Sequence, residues 1–187
     1  AGINLGGVTY HFGTKENLLA EIYARHTRPM NQRRLDMLAE AERISDPDDR
    51  LLAIIRAFVV PAFSSRSDIA GGGARLTRLR AILSMEGNEA AKRIIAESFD
   101  ETSSAIVDAI GRCVPDADRG SIVWRCHFLL GALYYALVSN DRIDRLAKGA
   151  TSGSDHERAI DELVCSSAAS LKDLAGSARS GDKDHAA

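Results

Sequence analysis

"TYHFGTKENLL", residues Thr9–Leu19, is the stretch on which the fold turns. Tyr10, His11 and Phe12 close a short helical run, and Gly13 breaks it. Thr14 then stands where its hydroxyl can satisfy an orphan N–H in the first turn of the next helix. Upstream, Asn4 is an N-cap for a short helix over about Leu5–His11. Downstream, Leu18, Leu19, Ile22 and Tyr23 share one stripe, and Met30, Leu35 and Leu38 continue it. The expected opening is therefore a short helix, a glycine turn and a long amphipathic helix.

The helical pattern continues to the end of the chain. Pro29 should kink or divide the long helix, because it lacks the N–H that the ladder needs. "SDPDD" (Ser45–Asp49) ends that run and opens another, with Pro47 in its first turn. Arg50–Phe63 carries Leu51, Leu52, Ile55, Phe58 and Val59. Ser64–Arg75 reads as a loop, whose three glycines follow no strand and lead to no Gly-Lys-Ser/Thr, so a phosphate loop is not indicated. Leu76–Met85 and Asn88–Cys113 are the next helices, and Val114-Pro115-Asp116 makes a turn. Ser154–Glu157 has a capping-box pattern, and the helix it opens aligns Ile160, Leu163, Val164, Ser167, Leu171 and Leu174. Asn140–Gly149 is polar, the following "GATSGSD" reads as a loop, and residues 176–187 have the composition of a frayed tail. No convincing strand and no internal repeat occur, so the fold class is all-α.

Residues 121–138, "SIVWRCHFLLGALYYALV", are apolar on nearly every face. A membrane span takes about 20 apolar residues, but this run holds Arg125 and His127 and stands alone. A helix that is hydrophobic all round is otherwise buried on two sides. In a chain of this size that means core on one side and a partner subunit on the other, and no membrane.

The net charge of −2 hides an asymmetry. Residues 1–34 carry five basic and two acidic side chains, a surplus of +3, and the rest of the chain balances at −5. A basic head on an acidic body fits a nucleic-acid-facing element on a regulatory body. Cys113, Cys126 and Cys165 are odd in number and widely spaced, so neither a disulfide framework nor a metal site is indicated. Buried free thiols in a reducing, cytoplasmic compartment are expected, and no cofactor. No G-x-S-x-G, H-E-x-x-H or paired-carboxylate pattern suggests an enzyme. His127 reads as a core histidine or as a polar anchor in a ligand pocket. His26, His156 and His185 lie on polar stretches and read as solvated.

Tyr10, His11, Phe12, Gly13, Thr14, Lys15, Glu16, Leu18 and Leu19 together resemble the signature that closes the DNA-binding domain of the TetR family of bacterial transcriptional regulators. Ala1-Gly-Ile-Asn4 is similar to the turn before that family's recognition helix. "PMNQRRLDML" (Pro29–Leu38) and Trp124–Leu133 resemble one subgroup of its regulatory domains. The resemblance implies a helix-turn-helix end at residues 1–27, an effector-binding and dimerisation domain at 28–175, and a flexible tail at 176–187. It further implies a homodimer on a pseudo-palindromic double-stranded DNA operator, regulated, as a repressor, by an unknown small molecule. Asn4 starts the recognition helix, and Gly6 and Gly7 permit close backbone approach. Leu5, Gly7 and Thr9 face base edges, while Tyr10, His11 and Lys15 meet phosphates. The family carries Leu or Ile-Tyr-Tyr where this chain has Val8-Thr9-Tyr10, so base preference does not transfer. The family also places two helices before this turn, so residues 1–187 alone are expected to bind DNA poorly.

The same resemblance puts the effector among the middle helices, with Phe58, Leu79, Met85, Phe99, Trp124, His127 and Phe128 as candidates. Arg75, Arg78 and Arg80 could bring a cation near it, although a solvated arginine face is the favoured reading. Pairing of subunits is expected through Leu130, Leu133, Tyr134 and Leu137 on one helix and Ile160, Val164, Ser167 and Leu171 on the other. The competing reading is an all-helical protein–protein adaptor without DNA binding, in which the aromatic corner only packs.

Overall fold

Helix follows helix wherever the apolar stripe and its caps agree. A computed structural model describes residues 15–64, 73–85 and 89–181, which form seven helices and no strand. Asn4, Leu5, Gly6, Gly7, Thr9, Tyr10 and His11 lie outside the described residues, and Lys15 begins the first helix, α1 (Lys15–Ala41). Contrary to the division expected at Pro29, α1 runs through it unbroken. Tertiary contacts hold both sides of the proline: Thr27, Met30 and Arg34 are buried, and Asn31 Nδ2 donates to the Ser98 carbonyl at 2.6 Å.

Asp46 caps α2 (Pro47–Phe63), accepting from the Asp48 and Asp49 N–H groups at 2.9 Å each. Asp48 and Asp49 also complement the positive end of the helix. This helix is the centre of the fold, packing on α1, α3 (Gly73–Met85), α4 (Glu89–Cys113) and α7 (His156–Gly181). Leu51, Ile54, Ile55, Val59 and Ala62 are fully buried along it. Each such aliphatic side chain stabilises the fold by about 1.5–3 kcal/mol. The start of α3 lies so near α2 that a Cβ on Gly73 would stand 1.9 Å from the Pro61 carbonyl oxygen. That is the physical need for glycine at the first position of α3.

Asp118 caps α5 (Arg119–Val138), accepting from the Ser121 N–H at 2.9 Å. The polar stretch that follows closes into α6 (Asn140–Ala147), about two turns that end on Lys148 in the left-handed region at φ 50°. The capping residue of α7 is Asp155, which accepts from the Arg158 N–H at 3.1 Å. The expected Ser154 is engaged elsewhere, sharing a hydrogen bond with the Ser152 hydroxyl, which itself donates to Asp144. At the other end α7 continues to Gly181, through residues expected to fray.

Most of the core is one cluster joining α2 to α1, α4, α5 and α7. A smaller one, Met30, Leu76, Ile94 and Phe99, fills the space between α1, α3 and α4. His156, expected in solvent, is half-buried and packs edge-on against Phe63, with ring centroids 5.4 Å apart.

Candidate functional site

Four helices leave a cavity of about 380 Å³ between them, within the range of small-molecule sites. Two of its walls share one helical spacing. Ser103, Ile106, Val107 and Ile110 face it from α4, and Val123, Cys126, His127 and Leu130 from α5. In both sets the steps of three and four residues put the side chains on a single face. Ile55 and Phe58 close the α2 side, Arg80 comes from α3, and Asp100 lies at an exposed point of the wall. Burial pushes the Cys126 thiol up to about 11, so it faces the cavity as a neutral thiol.

Of the seven sequence candidates for a pocket, Phe58 and His127 line this cavity. Phe99 is buried behind it, and Leu79 is half-buried against the smaller cluster. Met85 ends α3, and its side chain is outside the described residues. Trp124 and Phe128 do not line this cavity: they are 61% and 56% exposed, with rings 5.7 Å apart. A step of one residue along a helix turns a side chain by about 100°, enough to move Trp124 out of the wall that Val123 lines. Arg80 is also corrected. Arg75 and Arg78 are exposed as expected, whereas Arg80 is 8% exposed. Its guanidinium lies on the Phe99 ring, 3.8 Å from the centroid. Ile55, Ile106, Val107, Ile110 and Leu129 escaped the sequence reading because their spacing is that of any core residue.

The interface candidates divide in the same way. Leu133, Leu137, Val164 and Leu171 are buried inside the protomer, so they cannot meet a partner. Leu130 lines the cavity, Tyr134 and Ser167 are half-buried, and Ile160 packs on the main cluster. α5 was expected to be buried on two sides, and the protomer covers one. Its other side exposes Trp124, Phe128, Tyr135 and Val138. Beside that stripe, Phe128 and Ala132 of α5 and Ser166, Ser167 and Ser170 of α7 line a shallow groove. Its small side chains permit close helix approach. Cys165, expected to be buried, is exposed on α7. α5 is long and apolar enough to cross a membrane by length and composition, but its buried face is built into a helical core.

Helical architecture, inner cavity and apolar outer face coincide with one family match. Residues 56–170, more than half of the chain, match the model of the tetracyclin repressor-like C-terminal domain. The chain belongs to the TetR family. No curated protein matches it. The match runs from Arg56 of α2 to Ser170 of α7, so this TetR-family regulator holds the outer face and all of the cavity wall but Ile55 within the matched region.

Proposed function

We propose that this TetR-family regulator is a DNA-binding transcriptional repressor controlled by a small-molecule effector, acting in the cytoplasm as a homodimer. Residues 1–27 are then the end of its helix-turn-helix domain. Residues 28–175, together with the continuation of α7 to Gly181, bind the effector and the second subunit. Asn4, Leu5, Gly6, Gly7, Thr9, Tyr10, His11 and Lys15 contact a pseudo-palindromic operator, and the cavity takes the effector. A second copy covers the Trp124–Val138 stripe and the small-residue face of α7.

The observation that carries this reading is a contact between the cavity wall and the helix leading from the DNA-reading segment. Arg34 of α1 donates through Nε to the carbonyl of Phe58 at 3.1 Å, and Phe58 lines the cavity. An effector that spreads α4 from α5 displaces Phe58, and α1 follows. In a two-fold dimer the recognition helices sit about 34–36 Å apart, one DNA turn, and a tilt of α1 changes that distance. Effector and DNA then each lower the other's affinity by the same factor.

The test uses the protein expressed from its complete gene. Duplexes selected from a random pool should bind with an affinity that falls linearly in log–log form between about 50 and 200 mM salt. Absence of salt-dependent duplex binding rejects the repressor and leaves the protein–protein adaptor.

A further inference from the structure

The cavity between α2, α3, α4 and α5 is graded from floor to rim. Ile55, Phe58, Ile106, Ile110 and Leu129 form the floor, and all five are buried. Ser103, Val107, Cys126 and Leu130 are half-buried above them, and Asp100, Val123 and His127 stand exposed at the rim. Chemistry follows depth, with hydrocarbon at the bottom and a carboxylate and an imidazole in water at the top. Arg80 is the one charged side chain of the wall at floor depth among the described residues. Its guanidinium rests on the Phe99 ring, and it is already engaged within the folded chain, so it needs nothing from a ligand. Between floor and rim, burial holds the Cys126 thiol neutral, as on a poorly solvated wall.

Magnitudes decide what such a gradient recognises. A charged head carried to the floor would lose its water and find no partner there, which is costly. At the rim, a charged head beside Asp100 or His127 stays in water, where an ion pair is worth at most about fivefold in affinity. Each methylene laid on the floor is worth about fourfold. Two methylenes therefore outweigh any head that the rim can reward. There is room for more than that. An apolar cavity of about 150 Å³ takes one benzene ring, and this one measures about 380 Å³.

We infer, resting on the reading of this cavity as the effector site, that it selects its ligand by an uncharged hydrocarbon body, a medium alkyl chain or a pair of fused rings, and not by a charged head. The body lies on Ile106, Ile110 and Leu129 and presses on Phe58. The Phe58 carbonyl accepts from Arg34 Nε of α1 at 3.1 Å. The size of the body, more than the nature of its head, then sets how strongly the ligand bears on the helix that leads to the DNA-reading segment.

Hexanol, heptanol and octanol vary the body under one head, and octanoate and octylammonium vary the head on nearly one body. Titration calorimetry on the 187-residue chain should show affinity rising about fourfold per methylene from hexanol to octanol. Naphthalene, which has no head, should bind as well. Neither charged head should bind more than about fivefold tighter than octanol. Cys126→Phe sends a ring into the cavity from its half-buried wall and should weaken octanol about tenfold or more. A melting midpoint near that of the wild type shows that this variant is folded, and Val107→Phe gives the same block from the facing helix should it not be. A charged head that gains more than about fivefold, or an affinity that stays flat from hexanol to octanol, overturns selection by the body and leaves the cavity reading in place. Undiminished octanol binding by a folded variant of either kind, or no binding by any probe, overturns the cavity reading and the inference with it.

Discussion

Leu133 and Phe128 belong to the same apolar helix, yet the protomer buries Leu133 completely and leaves Phe128 56% exposed. Substitutions at the two positions should therefore fail in different ways. Leu133→Ala removes three carbon atoms from a filled core, about 0.8 kcal/mol each, or about 2.4 kcal/mol in transfer. The unrelaxed cavity raises the total to about 3–4 kcal/mol. For a chain of this size each kcal/mol lowers the melting midpoint by about 2–4 °C, so the expected fall is about 6–16 °C. The fall persists at every protein concentration, and the mass in solution stays that of the wild type under native conditions. Phe128→Glu removes a side chain already in water and should cost the protomer at most about 1 kcal/mol. In a dimer it sets a carboxylate on the shared face, once from each subunit. Sedimentation velocity should then show half the wild-type mass, and the melting midpoint should lose its dependence on concentration. Thermal melts at low and high concentration, read beside sedimentation, check both. The reasoning is refuted if Leu133→Ala dissociates subunits without lowering the midpoint, or if Phe128→Glu unfolds the protomer as severely as Leu133→Ala.

Three further outcomes follow from single contacts. Gly73→Ala places a Cβ 1.9 Å from the Pro61 oxygen, so α3 must back away from α2. The expected loss is about 2–4 kcal/mol in a urea melt, beyond the small gain alanine brings to a helix; an unchanged midpoint contradicts the close approach. Asp46→Ala frees two N–H groups at the start of α2 and should cost about 1 kcal/mol, with Asp46→Ser recovering most of it. Cys126, in a chain carrying Cys113→Ser and Cys165→Ser, should react with iodoacetamide about tenfold faster for each pH unit between about 8 and 10. A plateau below about pH 10 contradicts its pKa of about 11. The linkage has a definite sign: the unfolded thiol ionises near about 8.5. The neutral, buried form therefore stabilises the fold fully below that pH, and this contribution is lost as pH rises through about 11.

Much of the molecule was legible in its residues because the signals are local. Pro47 after an acidic cap, the apolar steps along Glu89–Cys113 and the lack of alternating patterns each report a helix through backbone geometry alone. Where local signals misled, a longer-range contact decided. Pro29 does not divide α1, because Asn31 and Arg34 tie the helix to α4 and α2 on its far side. Ser154 yields its capping role to Asp155, because Asp144 and Ser152 hold the loop in another arrangement.

The amino-acid sequence by itself determined that the chain is helical, where most of its helices lie, and that one helix is apolar beyond the needs of a single face. It also carried, in Thr9–Leu19, the resemblance that named the family later matched over residues 56–170. Only the tertiary structure decided which way each apolar residue looks. Leu133 and Leu137 turn inward, Phe128 and Tyr135 outward, and His127 and Leu130 toward the cavity, though all lie on one helix. The periodicity of a helix fixes angles between its own side chains, not the rotation of the helix against its neighbours. Packing sets that rotation, and with it the difference between core, cavity and partner face. Arg80 is the sharpest case: a charge that sequence places in water is carried by the folded chain to the back of an apolar cavity.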